Sequence, residues 1–256
     1  NNMVGSLTQK SAKLKRIFIE PKLPEGLAPL AELSQNIWWC WNHEATELFQ
    51  SIDPQQFVAH QYNPVALLED LSIERANELL VDKDFVAQMK RVHKSFREYI
   101  DKAPAKTGAQ IGYFCMEYGI HQSLRLYSGG LGVLAGDYLK EISDRNANFV
   151  AVGLLYRYGY FQQGISHSGE QLHHYEPVKF TQLPLQPVRD VRGEWIKIHV
   201  NLSGRTVWAK VWQLPVGRMP LYLLDTDIDD NIWEDRNITH QLYGGDNENR
   251  LRQEIL

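Results

Sequence analysis

The 256-residue chain is predicted to be an α/β protein in which a helical module precedes a sheet of parallel strands. Three observations predict this class. Apolar residues recur every three or four positions between residues 24 and 100, as they do in amphipathic helices. Short apolar runs flank a helical pattern across residues 110–155, which is typical of a strand, loop, helix, strand order. Apolar and polar residues alternate within 195–224, which indicates further strands.

These patterns divide the chain into three parts. Residues 1–20 form an N-terminal arm, residues 21–103 an α-helical module, and residues 104–256 an α/β unit. The stretch from Asp101 to Gly108 is polar and contains proline and glycine, so it is the best linker between the last two parts. The helical module carries no visible catalytic constellation.

Helix starts and apolar stripes support the helical module. In Asp53-Pro54 and Asn63-Pro64 a capping residue directly precedes a proline, which marks the first residue of a helix. A long final helix is predicted by an apolar stripe at helical spacing, which consists of Phe85, Met89, Val92, Phe96 and Ile100.

The cluster Trp38-Trp39-Cys40-Trp41 has two interpretations. Tryptophan rings stack well on sugars, so the cluster could form a carbohydrate platform. However, side chains at adjacent helical positions point in different directions, so at least one of these rings belongs to the core. The sequence leaves both interpretations open.

A glycine-rich stretch stands at the centre of the α/β unit. The apolar run 111–117 predicts a strand, the loop Tyr127-Ser128-Gly129-Gly130-Leu131-Gly132 follows, and a helix is predicted over 130–146, before a strand over 148–155. A loop that enters a helix presents free backbone N–H groups and the positive end of the helix dipole to an anion. The other interpretation is that these glycines only permit close helix–sheet packing. Ligands of such sheets bind at the carboxyl ends of the strands, where Glu117 and this loop fall.

The remaining chain is predicted to be largely β. Residues 195–200 and 207–212 form a hairpin with its turn at Ser203-Gly204, and 219–224 form a third strand. Residues 243–254 are predicted to be a loop that enters a helix. Because the chain ends just as this helix begins, the sequence predicts a fragment.

Composition excludes several classes of function. A net charge of −4 gives no reason to expect nucleic acid or an anionic membrane as a partner. No apolar run approaches the roughly 18 residues of a transmembrane helix, and the N-terminus lacks the apolar core of a signal peptide. Cys40 and Cys115 lie in apolar surroundings, which favours reduced thiols in a cytoplasmic protein. No cysteine or histidine spacing predicts a metal site.

Several spaced motifs carry a resemblance to a known family. Besides the glycine loop, they are Met116-Glu117-Tyr118, the run from Tyr156 to Gln163, and Arg250-Leu251-Arg252-Gln253-Glu254. In this order they resemble the N-terminal part of α-glucan (glycogen, starch or maltodextrin) phosphorylases, over roughly residues 24–256. The resemblance is to the bacterial and archaeal branch, which has an extra helical module in front. It implies a two-lobed GT-B glycosyltransferase fold, of which 104–256 would be part of a Rossmann-like lobe with a β-rich insertion, incomplete at its C-terminal end.

The resemblance also implies an activity. The family transfers a terminal α-1,4-linked glucosyl unit of a glucan or maltooligosaccharide to inorganic phosphate and releases glucose 1-phosphate. It uses pyridoxal phosphate, whose lysine lies in a C-terminal domain that this sequence does not contain. The resemblance therefore implies that this fragment has no complete set of catalytic residues, binds no cofactor and is inactive alone. Whether the protein forms a homo-oligomer stays open.

Site residues follow from the same resemblance. Gly130 matches the glycine whose amide approaches the substrate phosphate, and Gly129 and Gly132 match glycines that shape the turn; together they form the implied phosphate-binding set. Leu131 matches a residue that lines the glucose pocket, and Glu117 matches an acidic residue of the active-site wall, although it could instead cap a neighbouring loop.

Asp137 is a further candidate, which comes from its position in the second turn of the predicted helix. It could bind sugar hydroxyls or be a solvated helix-face charge.

Two departures from the family pattern stand out. Many animal and plant members have Asn and Arg where this chain has Ser128 and Val133, and a tyrosine near the cofactor where it has Gly119. Tyr118 or Tyr127 could replace that tyrosine.

Two other functions remain open. One is a nucleotide-sugar glucosyltransferase of the glycogen-synthase kind, although its loop lysine is replaced by Tyr127. The other is a non-catalytic carbohydrate-binding module formed by the helices.

Overall fold

The computed structural model of the protein describes residues 23–102, 109–160, 162–202 and 204–256. The predicted arm at 1–20 and the greater part of the predicted linker lie outside the described residues. In the described chain, helices occupy the first part and a mixed sheet with helices occupies the second, so the predicted α/β class is confirmed. None of the described helices is both long and apolar enough to cross a bilayer.

The helical module contains six α-helices in its described residues. They are α1 Ala28–Ser34, α2 His43–Ile52, α3 Pro54–Ala59, α4 Pro64–Glu69, α5 Ile73–Val81 and α6 Lys83–Ile100, with short 3₁₀ turns at Glu25–Leu27 and Ile37–Trp41. The side chains of Asp53 and Asn63 accept hydrogen bonds from the first-turn amides of α3 and α4. The two helix starts predicted from Asp-Pro and Asn-Pro are therefore confirmed.

The tryptophan cluster is part of the core. Trp38 is 4% exposed and Trp39 is 1% exposed, because the 3₁₀ turn directs both rings inward. Trp38 packs on the ring of Phe96, and Trp39 packs on the ring of Phe49. A sugar platform made from these two rings is therefore wrong. Trp41 is half-buried and donates its indole N–H to Asp144 Oδ1 at 3.3 Å.

The second part of the chain contains eight described strands and three α-helices. The strands are β1 Ile111–Phe114, β2 Phe149–Leu154, β3 Gln162–Ile165, β4 Gln171–His174, β5 Gln186–Pro187, β6 Lys197–Leu202, β7 Arg205–Val216 and β8 Met219–Asp225. The helices are α7 Gly130–Arg145, α8 Trp233–Arg236 and α9 Asn247–Ile255, and two 3₁₀ turns lie at Phe180–Gln182 and Asn237–Thr239.

The described sheet is mixed rather than parallel throughout. Its order is β1-β2-β8-β7-β5, with β6 also paired to β7, and β3 and β4 form a separate hairpin. The pairs β1–β2 and β2–β8 are parallel, and the sequence predicted this for strands β1 and β2. Strand β7 is antiparallel to β8 because a tight turn at Gly217 joins them. The predicted hairpin of β6 and β7 is confirmed by the register of Leu202 opposite Arg205; Ser203 lies outside the described residues.

Strands β5 to β8, which lie in the segment predicted to be a β-rich insertion, belong to the same sheet as the parallel strands β1 and β2. Strand β8 lies directly beside β2, although about 65 residues separate them in sequence. Hydrophobic alternation predicts each strand but not its neighbour, because the same pattern suits any partner with a matching apolar face.

The helical module is fixed to the sheet by buried polar contacts. Asn36 exchanges two hydrogen bonds with the backbone of Gly217, at 2.9 and 2.8 Å. Arg218 lies over the ring of Tyr99 and donates to the Tyr99 carbonyl at 2.6 Å and to the Ser143 carbonyl at 2.9 Å. One hydrophobic core also runs through both parts. The module therefore holds the C-terminal end of α7.

His121, at this junction, should make the free energy of unfolding of the protein depend on pH. Its ring lies edge-on to Trp39, at 4.7 Å between centroids, and burial lowers the pKa of His121 from 6.5 to about 4, with a smaller effect from Lys140. Above pH 6.5 the histidine is neutral in both the folded and the unfolded chain. Between pH 6.5 and 4 the unfolded chain binds a proton that the folded chain does not, so the free energy of unfolding should fall by about 3 kcal/mol as the pH falls.

The check is urea unfolding of the wild type and of His121→Gln at several pH values. The variant should lose part of the pH dependence between pH 6.5 and 4, because its side chain does not titrate. Identical slopes for the two proteins would contradict the assignment to His121.

Candidate active site

The candidate site begins where β1 ends. The chain leaves β1 through Cys115 and Met116 to Glu117, at the carboxyl end of the parallel strands. Tyr118 donates its hydroxyl to the Val152 carbonyl at 3.0 Å, and Tyr156 donates to the Met116 carbonyl at 2.7 Å. Burial raises the pKa of both tyrosines, so both phenols stay protonated donors. These bonds hold the segment around Glu117 rigidly against β2.

Glu117 joins two glycine loops. Its side chain is 2% exposed. Glu117 Oε2 accepts the backbone N–H of Ser128 at 2.8 Å and that of Gly129 at 3.3 Å, and Glu117 Oε1 accepts the hydroxyl of Tyr243. The carboxylate is therefore bonded both to the loop before α7 and to the loop before α9. Its observed position is that of a loop cap, the second of the two interpretations open from the sequence.

The first glycine loop presents an open helix terminus. Gly129 is the N-cap of the 16-residue helix α7, and no side chain caps its first turn. The amides of Gly130, Leu131 and Gly132 are the first three of the helix, so no carbonyl of α7 accepts them. A Cβ added to Gly129 or Gly130 would meet nothing within 4 Å. The positive end of the α7 dipole thus faces open space beside these two glycines.

Gly132 serves a different purpose from its neighbours. It is buried, and an added Cβ would lie 2.5 Å from Tyr127 Cβ and 3.0 Å from Glu117 Cβ. Gly119 donates its N–H to the Gly132 carbonyl at 2.6 Å, and a Cβ on Gly119 would lie 2.8 Å from the amide nitrogen of Val133. The segment after Glu117 therefore packs backbone to backbone against α7. A side chain at position 119 would collide with this backbone, which accounts for the glycine there.

The other predicted site residues do not all converge on the loop. Leu131 is 57% exposed at the first turn of α7, beside the open amides. Asp137 lies seven residues along α7, roughly 10 Å from Gly130 along the helix axis. Its carboxylate is 3.8 Å from Lys140 Nζ. Burial, and to a smaller extent the charge of Asp137, raises the pKa of the partly buried Cys40 thiol in the helical module to about 11, while Lys140 lowers it. Asp137 thus lies nearer to the junction than to the loop.

Tyr243 is a site residue that the sequence did not reveal. It adopts a left-handed backbone conformation, with φ of +56°, directly before Gly244-Gly245, and Asp246 caps α9. Arg250 lies 5.3 Å from the centre of the Tyr243 ring. Burial, and then the hydrogen bond to Glu117, raises the pKa of Tyr243 to about 12. An aromatic residue before paired glycines and a capping aspartate was the available signal, but nothing in the pattern indicated its partner.

The described residues offer free backbone N–H groups at the glycine loop. They contain no group of three or more histidine, cysteine or carboxylate side chains that could hold a metal ion. Lys140 is the one lysine between residues 117 and 178. It forms an ion pair with Asp137 farther along α7, away from the loop. Tyr118 is buried with its hydroxyl bonded to backbone, so of the two replacement tyrosines considered for the cofactor only Tyr127 stays available.

Comparison with known proteins gives two results. Residues 23–124 match a family described as a protein of unknown function (DUF3417), so that family extends through β1 and Glu117. The chain is also 41% identical to the maltodextrin phosphorylase of Thermococcus litoralis over 93% of its length, 39% identical to the glycogen phosphorylase of Mycobacterium tuberculosis over 95%, and 37% identical to the glycogen phosphorylase of Aquifex aeolicus over 93%.

The match covers only part of those relatives. The chain spans 29% of the Thermococcus protein, 30% of the Mycobacterium protein and 34% of the Aquifex protein. The predicted resemblance to the phosphorylases is therefore confirmed, for about a third of the length of proteins with that name.

Proposed function

We propose that this chain is the N-terminal part of an α-glucan phosphorylase, which transfers terminal α-1,4-linked glucosyl units to inorganic phosphate and releases glucose 1-phosphate. One observation carries the proposal: nearly the whole chain is 37–41% identical to proteins named maltodextrin or glycogen phosphorylase. The structure adds a helix terminus with no side-chain cap at the carboxyl ends of parallel strands. Such a terminus is a ready site for a phosphate.

The proposed role of the glycine loop is to hold the substrate phosphate. In the reaction, a phosphate oxygen bonds to the anomeric carbon, the glycosidic C–O bond breaks, and the departing glucan oxygen takes up the proton that the phosphate loses. The amides of Gly130 and Leu131 would donate to phosphate oxygens, and Gly129 leaves the space for their approach. These donors are fixed before the ligand arrives, so no reorganisation opposes the reaction.

Glu117 has a positioning role in this proposal. Because its carboxylate is buried and bonded to Ser128, Gly129 and Tyr243, it fixes the loop rather than contacting glucose. Gly132 belongs to the same support, since its missing Cβ lets Glu117 and Tyr127 approach α7. Leu131, exposed beside the open amides, is the residue we assign to the glucose pocket. Asp137 would contact a glucan only if the glucan extended along α7.

The finer architecture is also proposed. Residues 104–256 would form part of a Rossmann-like lobe in a two-lobed GT-B glycosyltransferase, with residues 21–103 as an added module. Pyridoxal phosphate would be held by a lysine elsewhere in the protein, and when bound it supplies a phosphate group beside the substrate phosphate. The residues of this chain would form the facing wall of the cleft. The two free cysteines accord with a cytoplasmic location.

The proposal is tested by measuring glucose 1-phosphate release from maltooligosaccharide by the longer protein that carries this chain. Release that requires inorganic phosphate and is lost when pyridoxal phosphate is removed is the expected result. Product formed from a nucleotide sugar without phosphate would favour the glycogen-synthase alternative and contradict the proposal. Residues 1–256 alone should release no product, because they supply only one wall of the cleft.

A further inference from the structure

A cavity of about 280 Å³ lies beside the second glycine loop, Gly244-Gly245, which precedes α9. Its other walls come from Tyr158, from the 3₁₀ turn that begins at Asn237 and from the first turn of α9. Sites of roughly 300–1,000 Å³ hold drug-sized ligands, so this cavity has room for one small ring molecule. It includes no residue of the loop before α7 and is therefore distinct from the proposed phosphate site.

Among the described residues, no charged side chain lines this cavity. The lining residues are Tyr158, Asn237, His240, Gln241, Gly244, Gly245 and Asn249. Burial lowers the pKa of His240 below its usual 6.5, so its ring is neutral at pH 7. The carboxylates that act on this ring, Asp225 and Asp227, each form an ion pair with a basic side chain. The cavity therefore offers no net charge to a ligand.

Several polar groups in the cavity have no partner among the described residues. Asn237 Oδ1 is buried and accepts no hydrogen bond. The hydroxyl of Tyr158 and the side-chain amide of Gln241 form no hydrogen bond with a described residue either. Asn249 donates its side-chain N–H to the Gly244 carbonyl at 3.0 Å, which leaves Asn249 Oδ1 available as an acceptor. A buried acceptor without a donor is costly, and a ligand that donates a hydrogen bond to Asn237 would remove that cost.

These groups together suit a neutral sugar. Each sugar hydroxyl both donates and accepts hydrogen bonds, and so do amides and a neutral imidazole. The rings of Tyr158 and His240 lie 5.8 Å apart at 70° and provide flat apolar faces of the kind on which a sugar ring packs. A charged ligand would find no opposite charge here. We propose that this cavity binds one neutral hexose unit, with the side-chain amides of Asn237, Gln241 and Asn249 facing its hydroxyls.

The second glycine loop joins this cavity to the candidate active site. Gly244 directly follows Tyr243, whose hydroxyl bonds to Glu117. A Cβ added to Gly244 would lie 2.6 Å from Gln241 Cβ, so the loop packs directly against the wall of the cavity. A glucan with one unit in the cavity would thus contact the loop that is bonded to Glu117. That role in a glucan rests on the proposed function, whereas the binding of a free hexose does not.

The test is hydrogen–deuterium exchange of the longer protein without phosphate, with methyl α-glucopyranoside and maltoheptaose as probes. Cyclohexanol, a six-membered ring with one hydroxyl, is the control. Sugar should protect amides within residues 237–249, and cyclohexanol should not. Protection by both sugars identifies a site open to a free hexose, and protection by maltoheptaose alone identifies a site for one unit of a glucan. Either result supports the proposal.

Asn237→Leu separates a binding role from a structural role. It should weaken sugar binding about tenfold, measured by titrating the protection of residues 237–249, because it removes a buried hydrogen-bond partner of the sugar. The unfolding temperature of the sugar-free protein should stay the same or rise, because Asn237 Oδ1 has no partner to lose. Asn201→Leu makes the same substitution at an exposed position on β6 and should bind sugar as the wild type does.

The proposal is overturned if neither sugar protects residues 237–249, or if Asn237→Leu binds both sugars as tightly as the wild type. Should Asn237→Leu fail to fold, Tyr158→Phe removes a single hydroxyl from the cavity, and unchanged affinity in that variant would equally overturn it. Gly130→Val should lose phosphorolysis and keep the sugar protection of residues 237–249. A wild type that shows this protection without phosphorolysis would contradict the proposed function and support the sugar site, so the two failures are distinguishable.

Discussion

Replacing Gly130 by valine should reduce kcat/KM for phosphorolysis at least about 100-fold in the longer protein while leaving its fold intact. The reason is that Gly130 has open space beside it, whereas Gly132 is closely packed. A Cβ at Gly130 meets no protein atom within 4 Å, so the side chain would enter the space that the proposed phosphate occupies. Valine is tolerated in the first turn of a helix, so the unfolding temperature should change little. The measurement is initial-rate kinetics with phosphate as the varied substrate.

Gly132→Ala is the matched control for that variant. Its Cβ would lie 2.5 Å from Tyr127 Cβ, so it should cost about 1–3 kcal/mol of stability through overpacking. Loss of stability is thus expected at Gly132 and loss of phosphate use at Gly130. If Gly130→Val turned over phosphate as the wild type does, the glycine loop would have no part in the mechanism.

Replacing Asn36 by alanine should destabilise the protein by about 3 kcal/mol or more. The side chain is 8% exposed and accepts the N–H groups of Gly217 and Trp38 while donating to the Gly217 carbonyl. Alanine would leave three buried backbone groups without partners, and each costs about 1–3 kcal/mol before the structure relaxes. Thermal unfolding followed by circular dichroism measures the change.

Asn201→Ala is the control for the Asn36 variant. Asn201 is exposed and accepts one hydrogen bond, from Thr206 Oγ1 at 3.2 Å, so its replacement should change the free energy of unfolding by about 0.5 kcal/mol or less. Equal effects of the two substitutions would mean that the junction between the helical module and the sheet is not fixed by Asn36.

Local patterns in the sequence predicted the elements of the site well. The strand before Glu117, the helix that begins at Gly130 and the helix starts at Pro54 and Pro64 all depend on spacing or capping within a few residues, and the structure contains each of them. The hairpin of β6 and β7 belongs to the same class, because its turn and its alternation are local.

Contacts between distant residues could not be predicted in the same way. The pairing of β2 with β8 and the hydrogen bond from Tyr243 to Glu117 both join residues that lie far apart in the sequence. Such contacts depend on the path of the chain, which no local pattern encodes. Glu117 shows the consequence: the sequence left an active-site wall residue and a loop cap both open, and the hydrogen bonds of its buried carboxylate to Ser128, Gly129 and Tyr243 were not predictable.

The most direct test of the proposed phosphate site is a crystal structure of the longer protein with inorganic phosphate or glucose 1-phosphate bound. We expect phosphate oxygens about 3 Å from the amide nitrogens of Gly130 and Leu131, with Glu117 still bonded to Ser128 and Tyr243 beneath the loop. A phosphate held elsewhere in the cleft, with these two amides in contact only with water, would contradict the proposed site.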